Sequence, residues 1–164
     1  MLNACLVDDP PEYRAGGRRT PPVLQLNEAA PSVLYPIEVR RDDGIGKLDL
    51  SVPVRSEDAG DNLLAVLFFD YGTRCDQRDI VELPARTFDV ERTIKTTFSY
   101  GSLTVTGCHT LTLVVFHESN LTFGQGACLS SADPSDVALA TWWVNVDPAT
   151  PGVLDGCPAP GGAE

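Results

Sequence analysis

The stretch Gly107-Cys-His-Thr-Leu-Thr-Leu-Val-Val-Phe116 decides the fold, together with Val137-Ala-Leu-Ala-Thr-Trp-Trp-Val-Asn-Val146 near the end of the chain. In the first stretch Leu111, Leu113 and Val115 share one face of an extended chain, because successive side chains of a strand point to opposite faces. The second stretch alternates in the same way. Both are rich in β-branched or aromatic residues and have no glycine or proline in their interior, so both predict β-strands.

Size and charge limit the classes of protein that this chain can belong to. Its 164 residues suffice for one domain with a sizeable core. A content of 43% hydrophobic and 21% charged residues is typical of a globular protein. The 23 acidic residues outnumber the 12 basic ones, giving a formal charge of -11. Such a surface repels phosphate backbones, so we expect no nucleic-acid partner.

The rest of the chain is a series of short strands and turns. Residues 47–54 alternate cleanly between apolar and polar positions and predict a half-buried strand. Residues 63–71 are apolar on both faces, which predicts a central strand with cover on both sides, or a strand whose outer face is covered by a partner. Residues 73–84 and 121–135 are interpreted as loops, the first with a brief extended piece near its end. No long segment has a 3.6-residue period, so the fold class is all-β.

The two opening stretches also carry a resemblance. GCHTLTLVVFHESN followed by VALATWWVNVDP resembles the last two strands of the immunoglobulin-like, PKD-like or fibronectin-III-like modules of bacterial surface proteins, and is similar to small lipoproteins of GC-rich Gram-negative bacteria. The resemblance covers about forty residues. It implies a single immunoglobulin-like β-sandwich of about seven strands over residues 23–147, with a flexible tether at 1–22 and a Pro/Gly-rich tail at 148–164. Such families carry no catalytic residues and imply no cofactor.

The N-terminus resembles the end of a bacterial lipoprotein signal peptide. Leu2-Asn-Ala-Cys5 matches the lipobox, in which the cysteine is lipidated, although the charged and apolar regions that should precede it are absent. Either the true start lies upstream of Met1, or the chain was trimmed there; the other interpretation is a chance cysteine. Leu6 and Val7 follow Cys5 instead of aspartate. By resemblance to the sorting rule of enteric lipoproteins, this predicts a lipid anchor in the outer membrane of the bacterial cell envelope.

The other four cysteines predict disulfides. Removing Cys5 to a lipid leaves an even set, Cys75, Cys108, Cys128 and Cys157, which allows three pairings. In an immunoglobulin-like sheet the end of the third strand lies beside the start of the sixth. The resemblance therefore implies the pairs Cys75–Cys108 and Cys128–Cys157. Zinc is excluded because no two cysteines lie two to four residues apart, and disulfides imply an oxidising compartment.

Histidine and acidic residues provide few candidates for catalysis or metal binding. His109 and His117 lie at the two ends of one strand, about 27 Å apart, and are interpreted as strand-end residues rather than a catalytic pair. Asp133, Asp136 and Asp147 flank the long loop and the following strand, and are weak calcium candidates because hard cations prefer clustered carboxylates. No spacing matches a known calcium loop.

Aromatic residues provide the candidate contact surface. Trp142 and Trp143 point to opposite faces of a strand, so one fills the core and the other is exposed or covered by a loop. Trp143 and Phe123 are the contact candidates, because aromatic residues dominate interface hot spots. The chain is thus predicted to be a non-catalytic envelope lipoprotein that binds a protein or a glycan or acts structurally. The alternatives are a secreted hydrolase with its site in residues 121–137, or a calcium-binding adhesion module.

Overall fold

The fold is built almost entirely of strands, as the alternating sequence predicts. The computed structural model describes residues 20–73, 75–86, 89–124 and 128–152; most of the predicted tether and tail, with Cys5 and Cys157, lies outside these ranges. In the described part, no helix has the length and apolarity needed to cross a membrane. The strands are β1 (Val23–Leu24), β2 (Ile37–Val39), β3 (Lys47–Arg55), β4 (Leu63–Phe69), β5 (Asp76–Leu83), β6 (Glu91–Ser99), β7 (Gly107–His117), β8 (Leu121–Phe123), β9 (Leu129–Ser131) and β10 (Ala138–Val146).

The strands form two main sheets and one small hairpin. The larger sheet has the order β2-β10-β7-β4-β5, and the smaller one has the order β1-β3-β6. Neighbouring strands are antiparallel except β2, which runs parallel to β10. The two sequences that decide the fold, β7 and β10, pair over nine residues, from Ala138 opposite Val115 to Val146 opposite Gly107.

One core lies between the two sheets. Leu50, Val52 and Val54 of β3 are buried at every second position, as the alternation predicts. They share a single hydrophobic cluster with residues of β4, β6, β7 and β10. Phe69 of β4 stacks on Phe98 of β6 with ring centroids 5.6 Å apart, so the two sheets contact each other face to face.

The outer face of the larger sheet carries a second apolar cluster. All seven residues of β4 are buried, which confirms the prediction of a central strand covered on both faces. On the outer face, Phe68 and Phe116 belong to a cluster against which Cys128, Leu129 and Val137 pack. The cover is the β8–β9 hairpin, so the prediction of a loop over residues 121–135 is wrong for this part. Strands of three residues are too short to show alternation in the sequence. β8 and β9 are stabilised instead by their packing on the sheet.

The loop predicted for residues 73–84 is wrong for residues 76–79, because β5 pairs with β4 along nearly its whole length; the extended piece predicted near the end of this segment is the second half of the same strand. Its sequence is polar because it is the edge strand of the larger sheet and is only partly buried. A bulge between Leu67 and Phe68 interrupts the register. Edge strands need not alternate between apolar and polar residues, so the pattern expected of a buried strand does not identify β5.

The structure corrects the predicted disulfide pairing. Cys75 is bonded to Cys128, and Cys108 is half of another disulfide. The predicted pair Cys75–Cys108 fails because the chain turns after Asp70 and leads Cys75 into β5, on the far side of β4 from β7. Cys108 instead lies opposite Asn145 on β10. The pair Cys128–Cys157 fails with it, since Cys128 is already bonded.

Candidate functional site

The β8–β9 hairpin forms a fixed platform on the larger sheet. Its strands pair Leu121 with Ser131 and Phe123 with Leu129, and the Gly124 N–H donates to the Cys128 carbonyl at 2.8 Å. Leu129 packs on the outer cluster, and the disulfide ties the hairpin to the beginning of β5. The disulfide at Cys128 and the burial of the adjacent Leu129 therefore hold the hairpin near its turn, and the Ala132 N–H donates to the Asn120 carbonyl at 2.7 Å at its other end.

Phe123 is the exposed aromatic residue of this platform. It lies directly opposite Leu129, so both side chains are on the same face of the hairpin. Leu129 is partly buried, whereas 69% of the Phe123 surface is exposed. Leu121, two residues earlier, is 38% exposed on the same face. An exposed phenylalanine on a rigid element is suited to binding, because its contact area requires little further ordering.

The two tryptophans separate as the alternation predicts. Trp142 is fully buried in the main core, and its Nε1–H donates to the Pro31 carbonyl at 2.8 Å. Trp143 points to the outer face of β10 and is half-buried. Trp143 and Phe123 lie on different elements, β10 and β8, and Phe123 is the more exposed of the two.

His117 lies in a buried polar cluster that sequence reasoning missed. Its Nδ1–H donates to Asp136 Oδ1 at 2.6 Å, and its backbone N–H donates to Asp136 Oδ2 at 3.0 Å. Asn120 Nδ2 donates to the same Oδ2 at 2.6 Å. On the other side of the ring, Nε2 lies 3.3 Å from Ser56 Oγ and 3.7 Å from Asp58 Oδ2. A serine, a histidine and an aspartate are thus connected in the order found in nucleophilic hydrolases.

Burial decides what this cluster can do. Ser56 is 1% exposed, His117 is fully buried and Asp136 is 1% exposed. The Ser56 N–H donates to the Val90 carbonyl at 2.9 Å and so is not available to an oxyanion. A nucleophile needs room for a substrate carbonyl about 3 Å from its oxygen, and a buried hydroxyl has none. The cluster instead joins the loop after β3, the end of β7 and the turn before β10.

His109, at the other end of β7, is held in a similar way. Its Nδ1–H donates to Asp70 Oδ2 at 2.9 Å, and the N–H of Thr110 donates to Asp70 Oδ1 at 3.1 Å. Its ring also stacks on Phe69, with centroids 4.8 Å apart. Each histidine therefore shares its aspartate with a backbone N–H near one end of the strand. No signal in the local sequence links Asp70 or Asp136 to these histidines.

The three calcium candidates bind other groups. The Asp133 carboxylate accepts from the Ser135 N–H at 2.9 Å, Asp136 accepts from His117, and Asp147 pairs with Arg41. Within the described ranges, no group of three or more histidine, cysteine, aspartate or glutamate side chains could hold a metal ion. The three aspartates therefore form no common site.

Two surface carboxylates have pKa values that are lowered by their hydrogen bonds. The Tyr100 hydroxyl donates to Asp43 Oδ2 at 2.6 Å and lowers the pKa of Asp43, while the same bond raises the pKa of Tyr100. The backbone N–H of Arg41, followed by its guanidinium, lowers the pKa of Asp147. Both contacts fix turns beside the strands rather than a reactive centre.

Comparison with known proteins adds no family to this description. The chain matches none of the family models, curated proteins or solved structures with which it was compared.

Proposed function

We propose that this chain is a non-catalytic binding module of the immunoglobulin-like β-sandwich type, anchored in the bacterial cell envelope by a lipid on Cys5. The observation that carries the proposal is the disulfide between Cys75 and Cys128, which fixes an exposed aromatic hairpin on the larger sheet. Disulfides form and persist in oxidising compartments. A covalently fixed surface element with an exposed phenylalanine is suited to binding a protein or a glycan.

The order of the strands supports the immunoglobulin-like assignment. In the constant-type fold the first, second, fourth and fifth strands form one sheet, and the third, sixth and seventh form the other. Here β1-β3-β6 corresponds to the first group and β4-β7-β10 to the second. β5, which follows β4 in the chain, lies in the second sheet beside β4 instead of in the first sheet, at the side where variable-type domains add two strands.

The cysteine count supports the lipid anchor. Cys75 and Cys128 are bonded to each other, and Cys108 is bonded to a different cysteine. If Cys157 pairs with Cys108, Cys5 remains for lipidation within the lipobox-like Leu2-Asn-Ala-Cys5. The residues after Cys5 favour the outer membrane.

The test is the intact mass of the protein from membrane fractions, before and after reduction. The proposal expects a species that begins at Cys5, carries acyl mass and gains four protons on reduction. Peptide mapping without reduction should find Cys75–Cys128 and Cys108–Cys157. The Cys5→Ser variant is the control and should leave the membrane fraction while keeping both disulfides. An unlipidated species with free thiols in the cytoplasm would rule out the envelope role.

The rival function is a hydrolase that uses the Ser56–His117–Asp136 connection, with Asp136 supplied by the 121–137 segment. Burial of all three side chains argues against it. A fluorophosphonate probe that labels activated serines tests the rival directly. We expect no labelling of the native protein, and labelling of Ser56 that is lost in His117→Gln would establish the hydrolase instead.

A further inference from the structure

In the described part of the chain, one edge of the larger sheet is open along six of the nine residues of β10. β10 pairs with β7 along its whole length, but β2 pairs with β10 only at Val144, Asn145 and Val146. Among the described residues, no strand pairs with the remaining edge of β10, from Ala138 to Trp143. This open edge spans about 20 Å, which is enough for a strand of six residues.

The backbone groups at this edge can be assigned to residues. The N–H of Asp147 donates to the Val39 carbonyl on β2. Because a strand turns its N–H and C=O to the same side at every second residue, Leu139 and Thr141 turn theirs toward the same edge. No described residue accepts from or donates to these four groups, and both residues are exposed at their side chains. The described part of the chain therefore leaves these groups to pair with another extended chain.

The opposite edge of the sheet is protected, and this edge is not. β5 carries Asp76, Arg78, Asp79 and Glu82 along its length, and a bulge interrupts its pairing with β4. Charges and bulges on an edge strand prevent the pairing of further strands. The open part of β10 reads Ala-Leu-Ala-Thr-Trp-Trp, with no charge, no proline and no bulge in its pairing with β7.

The side chains extend an apolar row to the open edge. Val66, Val114 and Leu139 lie side by side on the outer face across β4, β7 and β10. Val66 and Val114 are covered, whereas Leu139 is 49% exposed at the end of the row. A strand added at the edge would place its own side chains beside Leu139 and continue this row.

We propose that the edge of β10 at Leu139 and Thr141 binds an extended peptide segment of another protein as an additional strand of the larger sheet. The unpaired main-chain donors and acceptors lie along one edge, so they favour a partner with an extended backbone. The apolar row favours apolar side chains at alternate positions of that partner. The charge of -11 on each molecule opposes a second copy and acidic peptides, so the partner segment is neutral or basic. This assigns a second contact surface, separate from the hairpin, to the proposed binding function; it rests on that function but not on the lipid anchor.

The test is selection from a random peptide library on the full chain, followed by amide hydrogen exchange with an enriched peptide. We expect enriched sequences with apolar or β-branched residues at alternate positions and few acids. The bound peptide should slow the exchange of the Leu139 and Thr141 amides at least tenfold. Leu139→Lys should weaken binding at least tenfold, because it places a charge at the end of the apolar row.

Ile80→Lys is the matched control, since Ile80 is 43% exposed on the other edge strand of the same sheet. It should leave peptide binding within twofold, and near-ultraviolet circular dichroism should show both variants folded. Enrichment of no peptide, or of peptides that bind Leu139→Lys as well as the native chain, overturns the proposal. So does protection of Leu139 and Thr141 without peptide in a protein that sediments as a dimer, because the occupant is then a second copy. None of these results depends on the lipid or the cellular compartment, so this proposal and the envelope role fail separately.

Discussion

At the scale of single residues, Asp136 is a carboxylate that is almost completely buried within the described part of the chain. It is 1% exposed and accepts from the His117 N–H, the His117 ring and the Asn120 amide. A buried carboxylate is tolerated only when its oxygens are fully hydrogen-bonded. Residues 117–120 and the turn at Asp136 meet at this carboxylate, and the His117 ring connects it to Ser56, so we interpret the cluster as structural.

Removal of the Asp136 carboxylate should cost much more stability than removal of Asp133, three residues earlier. Asp136→Ala leaves the buried donors of His117 and the partly buried Asn120 amide without an acceptor, and we expect a loss of about 3–5 kcal/mol. Asp133→Ala removes an exposed cap on Ser135 and should cost about 1 kcal/mol. Urea unfolding of both variants measures the difference. Equal losses would mean that the Asp136 cluster contributes no more than an ordinary turn.

Asp43 provides a prediction of pH dependence. Its pKa is lowered mainly by the Tyr100 hydroxyl, so its contribution to stability is present above the unfolded-state pKa and is lost as pH falls through the folded-state pKa. Tyr100→Phe should therefore raise the pKa of Asp43 toward its ordinary value. Carbon-13 NMR titration of the carboxyl groups measures this shift. The pKa of Asp147, which Arg41 lowers, is the internal control and should not change; a shift at both sites would indicate a general loss of structure.

The sequence predicted single residues only where they lie in a repeating pattern. The burial of Trp142 follows from period-two alternation, and so does the outward direction of Trp143. The contacts of His117 with Asp136 and Ser56 could not be predicted, because they join residues 19 and 61 positions apart through a fold that no local pattern specifies.

At the scale of elements, the β8–β9 hairpin combines structural cover with an exposed surface. Leu129 packs on the outer cluster, while Phe123 beside it is left 69% exposed. Long apolar strands such as β4 and β7 could be predicted because burial on both faces leaves continuous apolar runs. The hairpin and β5 could not, because short or edge strands obtain their conformation from the sheet they join rather than from their own sequence.

Two substitutions in the hairpin should distinguish the packing contribution of Leu129 from the exposed position of Phe123. Leu129→Ser removes apolar area from the outer cluster and should destabilise the protein by about 2 kcal/mol. Phe123→Ser should change stability by no more than about 0.5 kcal/mol, because the side chain is mostly in solvent. Thermal unfolding of the two variants, compared at one pH, checks this. If Phe123→Ser is as damaging as Leu129→Ser, Phe123 is a packing residue and its proposed contact role is lost.

At the scale of the whole molecule, the described residues form two apolar layers stacked on a shared central sheet. The main core lies between the two sheets, and the second cluster lies between the larger sheet and the hairpin. The sequence predicted the all-β class and the first layer, since both follow from alternation. The second layer depends on a disulfide, and connectivity among four cysteines depends on a topology that strand patterns alone do not fix.

The Cys75–Cys128 bond is therefore the link by which the second layer can be tested. It joins residues 53 positions apart, and its loss should cost about 4 kcal/mol if it acts mainly by restricting the unfolded chain. Cys75→Ser, Cys128→Ser and the double variant should be equally destabilised in urea, since each removes the same bond. They should also bind more of a hydrophobic dye, because a loosened hairpin uncovers Phe68 and Phe116. If only one single variant were destabilised, the two cysteines would not be partners in solution, and the hairpin would be held by apolar packing alone.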